Sequence, residues 1–123
     1  MSTFTITKEF HFSAAHQLDG LPPTHQCARL HGHNYIVVVE LQAQELDEHG
    51  FVRDYGDLAE LKHYIDDNLD HRNLNDIFVV PTTAENIARH LFSVCEDWWP
   101  ELAAVRVSET PKTWAEYRSH RHV

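Results

Sequence analysis

An alternation of apolar and polar side chains over residues 3–16 is the feature that most constrains the fold. Phenylalanine and isoleucine occupy every second position from Phe4 to Phe12, interrupted once by Lys8, with threonine, glutamate and histidine between them. A period of two predicts a long strand with one face buried and the other turned to solvent. Residues 33–43 are rich in β-branched and aromatic side chains, which predicts a second strand antiparallel to the first.

Two helices and two further strands are predicted after this pair. Asp57 is the expected N-terminal cap of the first helix, which should end near residues 68–70, and Pro81, Thr82 and Thr83 precede the second, which Pro100 should stop. The apolar positions at helical spacing are Leu58, Leu61, Ile65 and Leu69, then Ile87, Leu91, Val94 and Trp98. Residues 103–109 and 114–118 predict the last strands, and residues 119–123 should fray. The order β-β-α-α-β-β predicts an α+β fold, an antiparallel four-stranded sheet with two helices on one face.

Length and charge exclude several classes of protein. A chain of 123 residues fits one domain, spanning 1–123, with a modest core. The net charge of -9, with histidine counted neutral, would repel a nucleic-acid backbone. No apolar run approaches the roughly 20 residues of a membrane helix and the polar start lacks a signal-peptide pattern, so we expect a cytoplasmic protein with no membrane contact. The exposed edges of a small sheet favour self-association, so we expect a homo-oligomer.

Histidine is unusually frequent, with 11 among 123 residues. His31 and His33 should project from one face of the second strand, about 6.6 Å apart at their Cα atoms. His16 ends the first strand, and antiparallel pairing would bring it beside them. Three imidazoles with an open fourth position are typical of catalytic zinc, which predicts a zinc site. His-x-His alone would also fit two exposed positions on a strand, but the third histidine and a nearby cysteine favour a metal.

Cys27 lies four residues before His31, in a loop over residues 18–30 that is broken by glycine and proline. If it faces the open metal position, it is a fourth ligand of a closed structural site. If it is held slightly away, it is a thiol activated by the cation and by Arg29 or His25, and can act as a base. Cys95 fits a buried position in the second helix, and the different settings of the two cysteines argue against a disulfide.

Three carboxylate and imidazole side chains are further candidates. Asp70 and His71 follow the first predicted helix, where a carboxylate could fix the imidazole tautomer for proton transfer, although a polar cluster at a helix end explains the pair equally well. Glu109 ends the third predicted strand and is an ordinary solvated carboxylate when considered locally.

Five motifs occur in a fixed order along the chain. They are His16, C-A-R-L-H-G-H at 27–33, L-D-H-R-N-L-N at 69–75, P-T-T-A-E-N at 81–86 and V-S-E-T at 107–110. This set resembles the 6-pyruvoyl-tetrahydropterin synthase superfamily over the span from the first strand to at least Glu109. The three residues between Cys27 and the H-G-H triplet resemble the 6-carboxy-5,6,7,8-tetrahydropterin synthase branch, of queuosine biosynthesis, because the pyruvoyl branch has a longer spacing.

The resemblance implies a fold, an assembly and roles for individual residues. The fold would be the tunnelling fold, or T-fold, and the assembly a homohexamer with its sites between subunits. The implied roles are zinc ligands for His16, His31 and His33, general base for Cys27, proton relay for Asp70 and His71, pterin anchor for Glu109, and further pterin contacts for Thr82 and Thr83.

The implied reaction converts 7,8-dihydroneopterin triphosphate to 6-carboxy-5,6,7,8-tetrahydropterin, acetaldehyde and triphosphate. Arg29, Arg72 and Lys112 are candidates for binding the phosphates. Two alternatives stay open: a pyruvoyl-type lyase that eliminates triphosphate but keeps the side chain, and a noncatalytic zinc- or pterin-binding module. Residues 111–117 depart from the glycine- or cysteine-containing segment of some relatives, so we expect the substrate rim near Glu109 to differ from theirs.

Overall fold

The computed structural model describes residues 2–119, so all of the tail predicted to fray except Ser119 lies outside the described residues. Four strands and two α-helices follow in the predicted order. They are β1 (Phe4–His16), β2 (His31–Ala43), α1 (Ala59–Asn68), α2 (Ala84–Glu96), β3 (Leu102–Ser108) and β4 (Ala115–Arg118). Short 3-10 turns occupy Gln26–Ala28, Tyr55–Leu58 and Leu74–Asp76. The predicted α+β order is confirmed.

The strands form one antiparallel sheet in the order β1-β2-β3-β4. The register of the first pair places His16 opposite His31 and Ala14 opposite His33. This pairing explains why β2 begins at His31, two residues before its predicted start: the H-G-H segment has little strand propensity, but β1 supplies it with hydrogen-bonding partners.

The helices cover one face of the sheet, and the core lies between the two layers. Alternate residues of the strands point into it, as the period of two predicts. Among the largest buried side chains are Tyr35 and Leu41 from β2, Leu61 and Ile65 from α1, Ile87 and Leu91 from α2, and Trp99 and Leu102 beyond it. Cys95 is also fully buried, as expected, and burial raises the pKa of its thiol to about 12.

The start of each helix tests the predicted caps. Thr83 caps α2, because its Oγ1 accepts a hydrogen bond from the Asn86 amide at 3.2 Å. The prediction for Asp57 was wrong: Asp54 instead accepts from the Gly56 amide at 2.8 Å and opens a 3-10 turn that leads into α1. Helix α2 ends at Glu96, before Pro100 is reached.

Residues 71–73 extend along the outer edge of β1. The amide of His71 donates to the carbonyl of Ser13 at 2.6 Å, and the amide of Ala15 donates to the carbonyl of Arg72 at 3.0 Å. Within residues 2–119, no strand pairs with the rest of that edge, and β4 pairs only with β3. No helix in this part of the chain has the length and apolar character needed to cross a membrane.

Candidate metal centre and active site

Three imidazoles meet where β1 ends and β2 begins. His16 lies opposite His31, and His33 follows two positions later on the same face of the sheet. The ring centroids lie 4.6 to 5.0 Å apart, and one ligand nitrogen from each ring lies within 4.8 Å of the others. The antiparallel register therefore brings the three predicted metal ligands together.

Backbone carbonyls orient two of these rings. Nδ1–H of His16 donates to the Thr82 carbonyl at 2.8 Å, and Nδ1–H of His31 donates to the Arg29 carbonyl at 2.6 Å. A histidine that donates through Nδ1 keeps the lone pair on Nε2, which is the arrangement that second-shell partners impose on metal ligands. In the folded chain, the Nε2 lone pair of both rings is therefore able to bind a cation.

The burial of two of the ring nitrogens also favours a metal site. Nε2 of His16 and Nε2 of His33 are buried and have no hydrogen-bond partner among the described residues. Desolvation lowers the pKa of both imidazoles, so they are neutral at pH 7, the state that binds a metal. Buried nitrogen atoms without partners are costly in a folded protein. A cation shared by the three rings would satisfy them, and the residues present fit such an ion.

Cys27 lies beside this cluster, on the 3-10 turn Gln26–Ala28. Its amide donates to Nδ1 of His25 at 3.0 Å, which fixes the turn. The thiol residue lines a cavity of about 440 Å³ together with His31 and His33. Within residues 2–119, the group of side chains placed to hold one metal ion consists of the three histidines and does not include Cys27. The structure therefore places this residue next to the three histidines that could hold a metal.

Asp70 and His71 form a pair at the outer edge of β1, the edge that does not pair with β2. Oδ1 of Asp70 accepts from the Ser13 amide at 2.9 Å, and Oδ2 lies 3.0 Å from Nδ1 of His71. The Ser13 amide, together with the neighbouring imidazole, lowers the pKa of Asp70, so the carboxylate is charged and orients the ring. His71 has a φ of 59°, and its side chain is 82% exposed.

Cys27 and His71 line two different cavities. His71 lines a separate cavity of about 500 Å³ with Ser13 and Asn34, on the face of the sheet opposite the helices. His33 contributes to the walls of both cavities. The two predicted proton-transfer centres therefore line different cavities, which meet at His33 of the histidine cluster.

Glu109 follows β3 and reaches the histidine cluster. Its Oε2 lies 3.5 Å from Nε2 of His33 without forming a hydrogen bond. The residue also lines a cavity of about 320 Å³ at the tip of the β3–β4 hairpin. Glu109 therefore connects this cavity to the imidazoles.

Thr82 and Thr83 have roles within the fold. Thr82 is fully buried, with its Oγ1 3.1 Å from Nδ1 of His16 and its carbonyl accepting from the same ring. Thr83 caps α2. A threonine pair before a helix is enough to predict the cap, but the contact with His16 joins residues 66 positions apart, and no local pattern reveals it.

Sequence reasoning missed three other groups at the site. The carbonyl of Arg29 and the amide of Ser13 orient functional side chains, and backbone groups carry no signal in a sequence. Tyr35 lies beside His33, with ring centroids 5.5 Å apart. Tyr35 follows His33 by two residues on an alternating strand, so the two side chains lie on the same face. This spacing could have predicted that Tyr35 lies beside the site.

Known proteins were compared with the whole chain. The family model described as 6-pyruvoyl tetrahydropterin synthase matches residues 5–120. A 6-carboxy-5,6,7,8-tetrahydropterin synthase of Synechocystis sp. is 39% identical over 94% of this chain and 94% of its own length, and one of Bacillus subtilis is 32% identical over 94% and 86%. The solved structure of Caenorhabditis elegans 6-pyruvoyl tetrahydropterin synthase superposes with a TM-score of 0.83 at 30% identity and covers 97% of each chain.

Proposed function

Because the chain belongs to the 6-pyruvoyl tetrahydropterin synthase family, as its motifs predicted, we propose that it is a 6-carboxy-5,6,7,8-tetrahydropterin synthase. Its fold is the predicted T-fold, and the proposed reaction converts 7,8-dihydroneopterin triphosphate to 6-carboxy-5,6,7,8-tetrahydropterin, acetaldehyde and triphosphate. The observation that carries the proposal is the similarity to 6-carboxy-5,6,7,8-tetrahydropterin synthases over most of the chain, joined to a cluster of three histidines with a cysteine beside it. We also propose that the product serves queuosine biosynthesis, because the spacing between Cys27 and His31 resembles the branch that acts in it.

Zinc is the proposed metal, held by His16, His31 and His33. Three imidazoles without carboxylate or thiolate ligands suit zinc, although other imidazole-preferring ions share this chemistry. A zinc ion would polarise oxygens of the substrate side chain and stabilise enolate-like charge. The carbonyls of Thr82 and Arg29 support this assignment, because they hold two of the rings in the tautomer that a metal requires.

Two proton-transfer centres are proposed for the redistribution of protons along the side chain. Cys27 is the base on the side of the cavity that it shares with His31 and His33. His71 is the acid or base on the opposite side, with Asp70 holding its ring and stabilising its protonated form. Arg29 lines the cavity of Cys27 and Arg72 that of His71, so each is a candidate for a phosphate contact.

The two cavities support an oligomeric active site. Most of the outer edge of β1 is unpaired within residues 2–119, and β4 pairs only with β3. Pairing these edges between copies would satisfy their backbone groups. We propose that such an assembly, a hexamer by family resemblance, brings His71 of one copy to the Cys27 side of another, and that it acts in the cytoplasm.

Acetaldehyde is the product that decides between the proposed lyase and its nearest rival. Zinc-loaded protein is incubated with 7,8-dihydroneopterin triphosphate, and acetaldehyde is measured through NADH oxidation by alcohol dehydrogenase. We expect acetaldehyde in a one-to-one ratio with 6-carboxy-5,6,7,8-tetrahydropterin. A 6-pyruvoyl product without acetaldehyde would assign the chain to the pyruvoyl branch instead.

A noncatalytic module is tested separately with the Cys27→Ala variant. We expect this variant to keep its metal, measured by plasma emission spectrometry, and to lose turnover. Loss of the metal together with the thiol would make Cys27 a fourth ligand and favour a structural site.

A further inference from the structure

The cavity at the tip of the β3–β4 hairpin has no assigned occupant. It has a volume of about 320 Å³, at the lower end of the range for small-molecule sites. Glu109 forms one side of it, and Trp114, which is 46% exposed, forms another. A single exposed tryptophan needs no explanation by itself. The informative feature is its position beside the carboxylate that reaches the metal centre.

Charge in the cavity selects the kind of group that can enter. Glu85, Glu109 and Glu116 line it, and Glu116 is bonded to Arg106 at 2.8 Å and to Arg118 at 3.1 Å. The two arginines offset the charge of Glu116, so Glu85 and Glu109 give the wall its negative charge, which repels phosphates and attracts N–H donors. The cavity therefore suits a neutral, donor-rich heterocycle and excludes the triphosphate end of a substrate.

The hairpin holds Trp114 in place between two fixed segments. The amide of Thr113 donates to the carbonyl of Thr110 at 3.1 Å, and the hydroxyl of Ser108 donates to the same carbonyl. Immediately after the tryptophan, Ala115 begins β4 and pairs with Val107. Binding an aromatic ligand on this indole would then cost little backbone entropy.

We propose that the indole of Trp114 stacks on the face of the bicyclic pterin ring while Glu109 accepts hydrogen bonds from the N–H groups on the ring edge. The inference rests on the proposed function and adds a substrate-binding residue to it. Stacking on an aromatic side chain and bidentate binding by a carboxylate recognise different features of a ring, its flat face and its donor edge. Together they select a planar heterocycle with adjacent donors.

The test measures binding of 7,8-dihydroneopterin, which lacks the triphosphate, to zinc-loaded protein by isothermal titration calorimetry under anaerobic conditions. Stacking of a nucleic-acid base on an aromatic side chain sets the scale, so we expect Trp114→Ala to weaken binding about five- to hundred-fold. Trp114→Phe keeps an aromatic face and should stay within about three-fold of the wild type. Phe51→Ala is the matched control, because Phe51 is 45% exposed and does not line the cavity, and it should bind as the wild type does.

Zinc content and oligomeric state, from light scattering after gel filtration, should be the same in all four proteins. The proposal is overturned if Trp114→Ala binds normally, if the phenylalanine and alanine variants are equally weak, or if the alanine variant dissociates into smaller species and so shows an interface role. A wild-type protein that does not bind 7,8-dihydroneopterin overturns it too. If the wild type binds this pterin but forms no acetaldehyde from the triphosphate, the lyase proposal fails while the variants still decide the stacking.

Discussion

The buried hydroxyl of Tyr35 is expected to destabilise the folded chain. Its hydroxyl is buried and has no hydrogen-bond partner among residues 2–119, and burial raises the pKa of the phenol, so it stays protonated. Its ring is well placed, stacked on Phe12 with centroids 4.8 Å apart. A buried polar group without a partner costs about 1–3 kcal/mol, so removal of the oxygen should not harm the folded chain.

Tyr35→Phe is therefore expected to leave the free energy of unfolding of the metal-free protein unchanged or to raise it by up to about 1 kcal/mol. Tyr35→Leu loses the stacked ring and should lower it by about 1–3 kcal/mol. Urea denaturation followed by circular dichroism measures both. Destabilisation by the phenylalanine variant comparable to that by leucine would mean that the hydroxyl has a partner in the folded protein.

The backbone of His71 is strained, because its φ of 59° lies in the left-handed region. Asparagine tolerates this region and β-branched residues do not. We expect His71→Asn to change the free energy of unfolding by less than about 0.5 kcal/mol and His71→Val to lower it by about 1–2 kcal/mol.

Acetaldehyde formation should be lost in both His71 variants, because neither side chain transfers protons near neutral pH. Urea denaturation and the acetaldehyde assay together separate the two roles. Full activity in the asparagine variant would remove His71 from the proposed mechanism, whatever its effect on stability.

At the scale of the elements, the contact between α1 and α2 contains a titratable pair. The hydroxyl of Tyr64 in α1 lies 2.7 Å from Nε2 of His90 in α2, and Phe78 packs on the same imidazole. Desolvation lowers the pKa of His90 below its usual 6.5. Between that lowered pKa and 6.5, the unfolded chain binds more protons than the folded chain does.

The contribution of His90 to stability is thus fully present above pH 6.5 and is lost as the pH falls toward its folded pKa. We expect the free energy of unfolding, from urea titrations between pH 5 and pH 8, to decrease toward acid, and His90→Gln to flatten this dependence. His16 and His33 have the same sign, but they contribute equally in the wild type and in the variant, so the difference between the two slopes isolates His90. An identical slope in the variant would exclude His90 as a source.

The helices and strands could be predicted from the sequence, because the spacing of apolar residues that defines each of them lies within its own segment. The first residues of β2 and of α1 could not be predicted from this spacing, because each depends on a contact or turn outside it. His31 joins the sheet only through pairing with β1, and the choice between Asp54 and Asp57 depends on a 3-10 turn that the apolar pattern does not encode.

The metal ligands were predictable because strand alternation places His31 and His33 on one face. The separation of Cys27 from His71 was not, because it depends on residues 71–73 lying along β1, a contact between segments about 57 positions apart.

At the scale of the whole molecule, the unpaired sheet edges and the two separate cavities have one common explanation. If copies pair through β1 and β4, each active site draws Cys27 from one chain and His71 from another. Within one chain, Cys27 and His71 line two different cavities, and His33 lines both. A shared site and a site confined to one chain differ in what mixed oligomers can do.

Cys27→Ala and His71→Ala should each be inactive alone and should recover activity when co-expressed as mixed oligomers. In a random mixture, about a quarter of shared sites receive Cys27 from one variant and His71 from the other, so we expect about a quarter of the wild-type rate of acetaldehyde formation. The control combines Cys27→Ala with a chain that carries both substitutions, which leaves no intact site and should stay inactive. Sites confined to one chain would give no recovery in the first mixture either, and that result would contradict the shared site while leaving the chemistry of each residue to its own variant.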